Sequence, residues 1–98
     1  MWILEASDPS GEPLKFRLPA GSVYTIGRST GAEFMVDAAL VSRLHCRLTA
    51  TRDSLQVKDL DSTNGTFVNG RRVETAELKD GDRLGVGRLE LIVSRQKS

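Results

Sequence analysis

The sequence is short of the residues that build most metal and redox centres. Its 98 residues include one cysteine, Cys46, and one histidine, His45. A single cysteine excludes an internal disulfide and any multi-cysteine metal site, so we expect no metal and no cofactor. Such cysteine usage fits a reducing compartment, and we expect a cytoplasmic protein.

The chain also lacks an excess of either charge and any long apolar run. Fourteen Lys and Arg residues stand against 13 Asp and Glu residues, which leaves a formal net charge of +1. General binders of nucleic acid or membrane surfaces need a marked excess of positive charge, so we expect neither as a partner. No apolar stretch approaches a membrane span, and the first residues do not resemble a signal peptide. We expect one domain over residues 1–94 and a loose C-terminal tail over residues 95–98.

Short alternating segments separated by turn residues make up most of the chain. Strands are predicted at residues 1–6, 14–18, 22–26, 46–51, 55–58, 66–68, 71–73, 83–86 and 89–93, and residues 33–36 and 77–78 are compatible with two more. Residues 8–11 have turn chemistry. Residues 74–79 have helix propensity but are too few to stand as a helix. Strands this short and this frequent predict an all-β sandwich or barrel.

The final predicted strand indicates where the core lies. Leu89, Leu91 and Val93 alternate with polar or exposed positions, so we expect them to face the interior. Either Trp2 or Ile3 should lie beside them, and the sequence does not decide between the two.

Residues 59–70, which read DLDSTNGTFVNG, combine a polar loop, a three-residue strand and a tight turn. Ser62, Asn64 and Gly65 either bond to their own main chain or tolerate left-handed backbone. Asn69-Gly70 is the strongest two-residue hairpin signal. A polar loop held between two fixed points is suited to present hydroxyl, amide and backbone N–H groups to a ligand.

Two further loops carry groups that suit a phosphate. Gly27 and Arg28 follow a predicted strand, and Arg28 offers a planar donor fork. Ser42 and Thr63 offer hydroxyls, and Arg43 offers a second cation. A phosphorylated residue carries roughly −1.5 to −2 charges and three strong acceptor oxygens. Because loops cluster at the ends of a sandwich, we interpret these residues as parts of one site for a phosphorylated residue.

The chain resembles the forkhead-associated (FHA) domain in three motifs that follow one another in this order: GR at 27–28, SRLH at 42–45 and DSTNGTFVNG at 61–70. The strand pattern on either side extends the resemblance over nearly the whole chain. The resemblance implies a two-sheet β-sandwich of about eleven short, mostly antiparallel strands. It also implies that loops at one end bind phosphothreonine peptides.

By the same resemblance, Arg28, Ser42 and Thr63 contact the phosphate with Arg43 assisting, and the Asn64 side chain binds the main chain of the peptide. We assign structural support of the site to Gly27, His45, Ser62, Gly65, Asn69 and Gly70. We expect His45 to have a structural role, in which its hydrogen bonds to backbone hold the Ser42 loop against the Ser62 loop. Candidates for selectivity beyond the phosphorylated residue are Glu33, Leu40 and Arg71.

The expected function is non-catalytic recognition of a phosphothreonine-containing protein, as a signalling adaptor or targeting module downstream of a Ser/Thr kinase. A monomer is favoured, although the oligomeric state is open. A hydrolase with Ser42, His45 and Asp59 or Asp61 as a triad is disfavoured, because Ser42 lacks the G-x-S-x-G setting of a strained nucleophile. The remaining alternative is a scaffold or oligomerisation domain of the same fold that acts without phosphate.

Overall fold

Eleven β-strands form the fold in the computed structural model, which describes residues 1–7, 11 and 13–96. The strands are β1 (Trp2–Ser7), β2 (Pro13–Leu18), β3 (Val23–Gly27), β4 (Phe34–Met35), β5 (Cys46–Ala50), β6 (Leu55–Asp59), β7 (Thr66–Val68), β8 (Arg71–Val73), β9 (Thr75–Leu78), β10 (Arg83–Val86) and β11 (Leu89–Arg95). None of the described residues belongs to a helix long and apolar enough to cross a membrane.

The strands divide into two sheets. One has six strands in the order β2-β1-β11-β10-β7-β8, and the other has five in the order β4-β3-β5-β6-β9. The short β3–β4 pair is parallel, and the remaining neighbouring pairs of the described strands are antiparallel. The prediction of an all-β, mostly antiparallel sandwich of about eleven strands is confirmed.

The core lies between the sheets and is built from alternate residues of each strand. Leu48 of β5 and Val57 of β6 face inward from one sheet, and Leu89, Leu91 and Val93 of β11 face inward from the other, as predicted. Burial of each such side chain contributes about 1.5–3 kcal/mol. The inward-facing sets of the two sheets therefore account for the face-to-face packing.

The N-terminal strand places apolar residues on both of its faces. Trp2 and Leu4 join the core, and the indole Nε1 of Trp2 donates to the Thr51 carbonyl at 3.1 Å. Ile3 is also buried, at 5% exposure, but it lies outside the core cluster. Of the two candidates, Trp2 is therefore the residue that packs in the core beside β11.

Two segments differ from the predictions. Residues 75–78 form strand β9, which extends the short strand expected at 77–78, because Leu78 pairs with Leu55 of β6 and both are buried. The predicted tail starts at residue 95, but Arg95 is the last residue of β11, opposite Trp2, and its guanidinium contacts Asp53 at 2.9 Å. Apart from Gly11, the predicted turn at 8–11 lies outside the described residues, as do residues 97 and 98 of the tail.

Cys46 is a fully buried apolar residue at the start of β5, as predicted. Burial, reinforced by the nearby charge of Asp59, raises the pKa of its thiol to about 12 even though Thr66 hydrogen-bonds to it. The thiol therefore remains protonated and serves packing.

The topology brings several strand ends to one edge of the molecule. Because β3, β5 and β6 are antiparallel neighbours, the end of β3 at Gly27, the start of β5 after His45 and the end of β6 at Asp59 lie together. Strand β7 enters the other sheet from the adjoining loop, residues 60–65. The polar loops that the sequence singles out all begin or end at this edge.

Candidate functional site

A groove of about 470 Å³ opens between the loops at this edge. It is lined by Arg28, Leu40, Val41, Ser42, Arg43, Leu44, Asp61, Thr63 and Asn64. The five residues predicted to bind the phosphopeptide, which lie in three separate loops, are all in this set. None of the predicted support residues lines the groove.

Gly27 allows two backbone segments to approach unusually closely. Arg28 N–H donates to the Ser42 carbonyl and Ser29 N–H to the Arg43 carbonyl, each at 3.0 Å. A Cβ atom on Gly27 would lie 2.1 Å from the Arg43 carbonyl oxygen. Gly27 does not have a positive φ, so the reason for glycine here is this close contact.

His45 joins the two halves of the site from below. Its ring is fully buried, and Nδ1 accepts the Ser42 N–H at 3.0 Å. The proton of the neutral ring is therefore on Nε2, which donates to the Gly65 carbonyl at 2.8 Å. Both ring nitrogens are occupied by backbone groups of the two loops, which agrees with the structural role expected for His45.

Asp59 anchors the loop that carries Thr63 and Asn64. Its carboxylate accepts the Ser62 hydroxyl at 2.5 Å, the Ser62 N–H at 3.2 Å and the Thr66 hydroxyl at 2.7 Å. The Ser62 hydroxyl oxygen also accepts the Gly65 N–H at 2.9 Å. Ser62 thus has the structural role assigned to it, and Asp59 is a support residue that the sequence analysis did not identify.

The hydrogen bonds at Asp59 also set its ionisation. Partial burial raises the pKa of the Asp59 carboxyl, but the bonds donated by the Ser62 hydroxyl, the Thr66 hydroxyl and the Ser62 N–H outweigh burial. The pKa consequently lies below its ordinary value of 3.8. The D-x-x-S spacing of Asp59 and Ser62 is the local signal that could have indicated this role.

The residues that line the groove keep donors available for a ligand. The Ser42 hydroxyl oxygen accepts the Thr63 N–H at 3.0 Å, which leaves its own proton to donate outward. Asn64 uses Nδ2 to bind the Leu40 carbonyl at 3.1 Å. Arg28 and Arg43 are exposed, and within residues 1–7, 11 and 13–96 the ion pairs involve other residues. Two cations and two hydroxyls therefore surround one open groove.

Two residues of the groove have left-handed backbone although neither is glycine. Leu40 has φ 71° and Asp61 has φ 55°. Such conformations cost roughly 1–2 kcal/mol per residue and concentrate at functional loops. Leu40 is the one selectivity candidate that lines the groove. Glu33 instead accepts the Thr25 N–H at 2.6 Å, and Arg71 begins strand β8.

Several lining residues were missed from the sequence. Asp61 was not predicted to line the phosphopeptide groove, and Val41 and Leu44 had no expected role. Val41 and Leu44 lie in irregular backbone between β4 and β5, and Asp61 lies in the loop between β6 and β7. No strand or helix period therefore predicts which side chains of these segments reach the groove.

The predicted turn at Asn69-Gly70 has φ values of 52° and 84°, the two positive values of a type I′ hairpin. The Asn69 side chain contacts Asp82 at 3.1 Å and accepts the Arg83 N–H at 3.0 Å. These bonds fasten the β7–β8 hairpin to β10. The support from Asn69 and Gly70 is therefore indirect, through the strand that follows the Ser62 loop.

The arrangement suits anion binding and not hydrolysis. The His45 ring bonds the backbone of Ser42 and not its hydroxyl, and Asp59 bonds Ser62 and Thr66. The triad alternative therefore has neither its base nor its orienting carboxylate in place. Among the described residues, no group of three or more side chains could hold a metal ion.

Comparison with known proteins gives consistent matches. A family model for the FHA domain matches residues 24–87. The ABC transporter ATP-binding/permease protein Rv1747 of Mycobacterium tuberculosis is 41% identical over 75 residues, which cover 76% of this chain and 9% of that protein. FhaA of the same organism is 38% identical over 90 residues, which cover 92% of this chain and 16% of FhaA. The chain thus spans a small part of these curated relatives.

Solved structures match over the full fold. The FhaA FHA domain, solved in complex with the intracellular domain of Rv3910, has 35% identity and a TM-score of 0.84, with 95% of this chain and 99% of that chain covered. A domain solved in work on phosphothreonine-dependent FHA domain interactions has 34% identity and a TM-score of 0.84, with 99% and 98% covered.

The close approach at Gly27 generates a stability prediction. Gly27→Ala should destabilise the domain by about 1–3 kcal/mol, because the added Cβ meets backbone atoms that cannot move independently. Thermal denaturation should show a Tm lower by roughly 5–20 °C. Gly31→Ala is the matched control, since the nearest atom to its Cβ would be Ser29 Oγ at 3.6 Å. Equal Tm values for the two variants would show that the close contact at Gly27 does not require glycine.

The lowered pKa of Asp59 generates a pH prediction. A carboxyl with a depressed folded-state pKa stabilises the protein above its unfolded-state pKa, and this contribution disappears as the pH falls through the folded-state value. Asp59→Asn should therefore reduce the free energy of unfolding by about 1–3 kcal/mol at pH 7 and by progressively less below about pH 4. Urea denaturation from pH 7 to pH 2.5 measures the difference. The exposed Asp37→Asn serves as control, and a pH-independent difference for Asp59→Asn would refute the assignment.

Proposed function

This chain belongs to the forkhead-associated domain family, and on that premise we propose that the groove at Arg28, Ser42 and Thr63 binds phosphothreonine-containing segments of other proteins. The binding is non-catalytic. The phosphate is held by Arg28 and by the Ser42 and Thr63 hydroxyls, and Arg43 adds a second positive charge. Asn64, whose Nδ2 is held on the Leu40 carbonyl, presents its amide to the main chain of the bound segment.

The observation that carries this proposal is the convergence of two cations and two hydroxyls around one groove of about 470 Å³. A phosphorylated residue brings a charge of roughly −1.5 to −2 and three acceptor oxygens, which match this donor set. Each hydrogen bond to a charged group contributes about 1.5–3 kcal/mol. A phosphate-independent scaffold would have no need for such a set, so the phosphate-binding function is the better supported of the two.

The relatives support the class of partner. The FhaA FHA domain was solved with an intracellular protein domain, and another similar domain was studied for phosphothreonine-dependent interactions. Phosphothreonine arises by phosphoryl transfer to a threonine hydroxyl, so a Ser/Thr kinase acts upstream. The chain spans only 9% of Rv1747. We therefore propose for this chain the role of a recognition module, and we do not extend to it the activity of the larger relative. A cytoplasmic location fits kinase signalling and the free thiol.

Phosphorylation should decide whether a peptide binds. A phosphothreonine peptide selected from an oriented library should bind at least tenfold more tightly than the same peptide with unmodified threonine, since the latter cannot engage the cations. Isothermal titration calorimetry of both peptides measures the ratio. Equal affinities would exclude the proposed function.

Arg28 should carry a large share of the affinity. Arg28→Ala should weaken phosphothreonine peptide binding by about 1.5–3 kcal/mol, or roughly tenfold to a hundredfold, because a charge-assisted contact is lost. Arg52→Ala is the control for the loss of one positive charge. Arg52 lies in the turn between β5 and β6, at the end of these two strands that is far from the groove. A folded Arg28→Ala protein with unchanged affinity would remove Arg28 from the site.

A further inference from the structure

The outer face of the five-stranded sheet places two cations directly opposite each other. Arg47 of β5 pairs in register with Lys58 of β6, and both side chains are exposed. Like charges in this cross-strand position destabilise a sheet. Within the described residues the ion pairs are Arg83 with Glu90 and Arg95 with Asp53, so neither cation of the pair is neutralised by one.

The six-stranded sheet is arranged differently on its outer face. Lys15 of β2 lies opposite Glu5 of β1, and Arg83 of β10 forms an ion pair with Glu90 of β11 at 3.3 Å. On that face, Lys15 and Arg83 therefore each have a carboxylate as a cross-strand neighbour or ion-pair partner. The pairing of Arg47 with Lys58 is a local feature of one face and is not explained by the general charge of the domain.

Hydroxyl groups flank the two cations. Thr25 of β3 lies opposite Arg47, and Thr75 of β9 lies opposite Lys58, so one row across the sheet reads hydroxyl, cation, cation, hydroxyl. The row borders a groove of about 420 Å³ whose lining includes a single carboxylate, Glu77, opposite Gln56 in the next row. A negatively charged ligand would relieve the repulsion between the cations and find donors on both sides.

This groove is connected to the phosphothreonine site by shared residues. A third groove of about 380 Å³ has Lys58 and Thr75 in common with the outer-face groove. The same third groove has Asp61 in common with the phosphothreonine groove. It also contains Asp59 and Glu74, so the connecting surface is acidic. A bound segment can therefore follow one continuous surface from the phosphate-binding loops to the outer face.

We propose that Arg47 and Lys58 form a second contact site for an acidic segment of the same protein that carries the phosphothreonine. This inference rests on the proposed function and extends it to the selection of the partner. The longest dimension of the domain is 34 Å, and about ten extended residues span that distance. The segment thus has its Asp or Glu residues within about ten positions of the phosphothreonine, joined by residues without negative charge because the connecting surface is acidic.

An acidic protein segment fits this face better than nucleic acid or a lipid surface. Two cations on a domain with a net charge of +1 fall short of the extended positive surface that a phosphodiester backbone or an anionic membrane requires. The connecting groove with Asp59, Asp61 and Glu74 would repel both. A peptide can place neutral residues over this acidic stretch.

The test compares peptides that share one phosphothreonine core, taken from the library selection. The core is extended at either end by a ten-residue Gly-Ser linker and four glutamates, or by the same linker and four glutamines. Calorimetry is done at 50 mM and 500 mM NaCl with three proteins: the wild type, Arg47→Gln/Lys58→Gln and Lys15→Gln/Arg17→Gln. The last variant is a matched control, because it removes two positive charges from the other sheet.

The wild type should bind the glutamate peptide roughly threefold to tenfold more tightly than the glutamine peptide at low salt for at least one end, and the gain should shrink at high salt. Arg47→Gln/Lys58→Gln should lose the gain, and Lys15→Gln/Arg17→Gln should keep it. No gain at either end, or an equal gain in both variants, overturns the proposal.

The core peptide without extension separates the two levels of inference. If it binds all three proteins alike and the glutamates add nothing, the second site fails and the phosphothreonine site stands. If it does not bind the wild type, the proposed function fails. A further experiment measures sedimentation of the three proteins with phosphatidylserine vesicles in the absence of peptide. If the wild type binds the vesicles and Arg47→Gln/Lys58→Gln does not, this face binds lipid and the acidic-segment proposal is overturned.

Discussion

The buried ring of His45 is the interaction on which the ligand-facing loops depend. It accepts a backbone N–H of Ser42 and donates to a backbone carbonyl of Gly65, so one side chain connects loops that enter different sheets. A buried polar group left without its partner costs about 1–3 kcal/mol, which makes each of these bonds difficult to give up. The relative position of Ser42 and the Thr63 loop is therefore set by the interior of the protein before any ligand arrives.

The residues that hold the loops in place are different from the residues that face the ligand. His45, Ser62 and Thr66 are buried and use their polar atoms on the protein itself, whereas Arg28 and Thr63 are exposed and face solvent. Because the backbone beneath the groove is held by Gly27, His45 and Asp59, a ligand has mainly exposed side chains to order. Pre-organisation of this kind reduces the entropic cost of binding. It explains how a shallow groove on a small domain can recognise a phosphorylated residue.

Electrostatics vary sharply over a short distance around this site. Cations border the phosphothreonine groove, carboxylates border the adjoining groove, and the Arg47–Lys58 pair follows on the outer sheet face. A net charge of +1 hides this pattern completely. Surface charges attract or repel according to their local neighbours, since screening limits exposed charges to about 8–10 Å at physiological salt. The proposed second site makes partner choice depend on the order of charges along the bound segment.

The sequence by itself determined the all-β class, most strands, the Asn69-Gly70 turn and five of the residues that line the groove, Arg28 among them, since alternation, turn chemistry and loop motifs are local. Only the tertiary structure decided the rest: the extent of strand β9, the end of β11, the reason for glycine at position 27, the role of Asp59, and Asp61 and Leu44 in the groove. These features arise from contacts between distant segments or from irregular backbone, for which residue order provides no period to read.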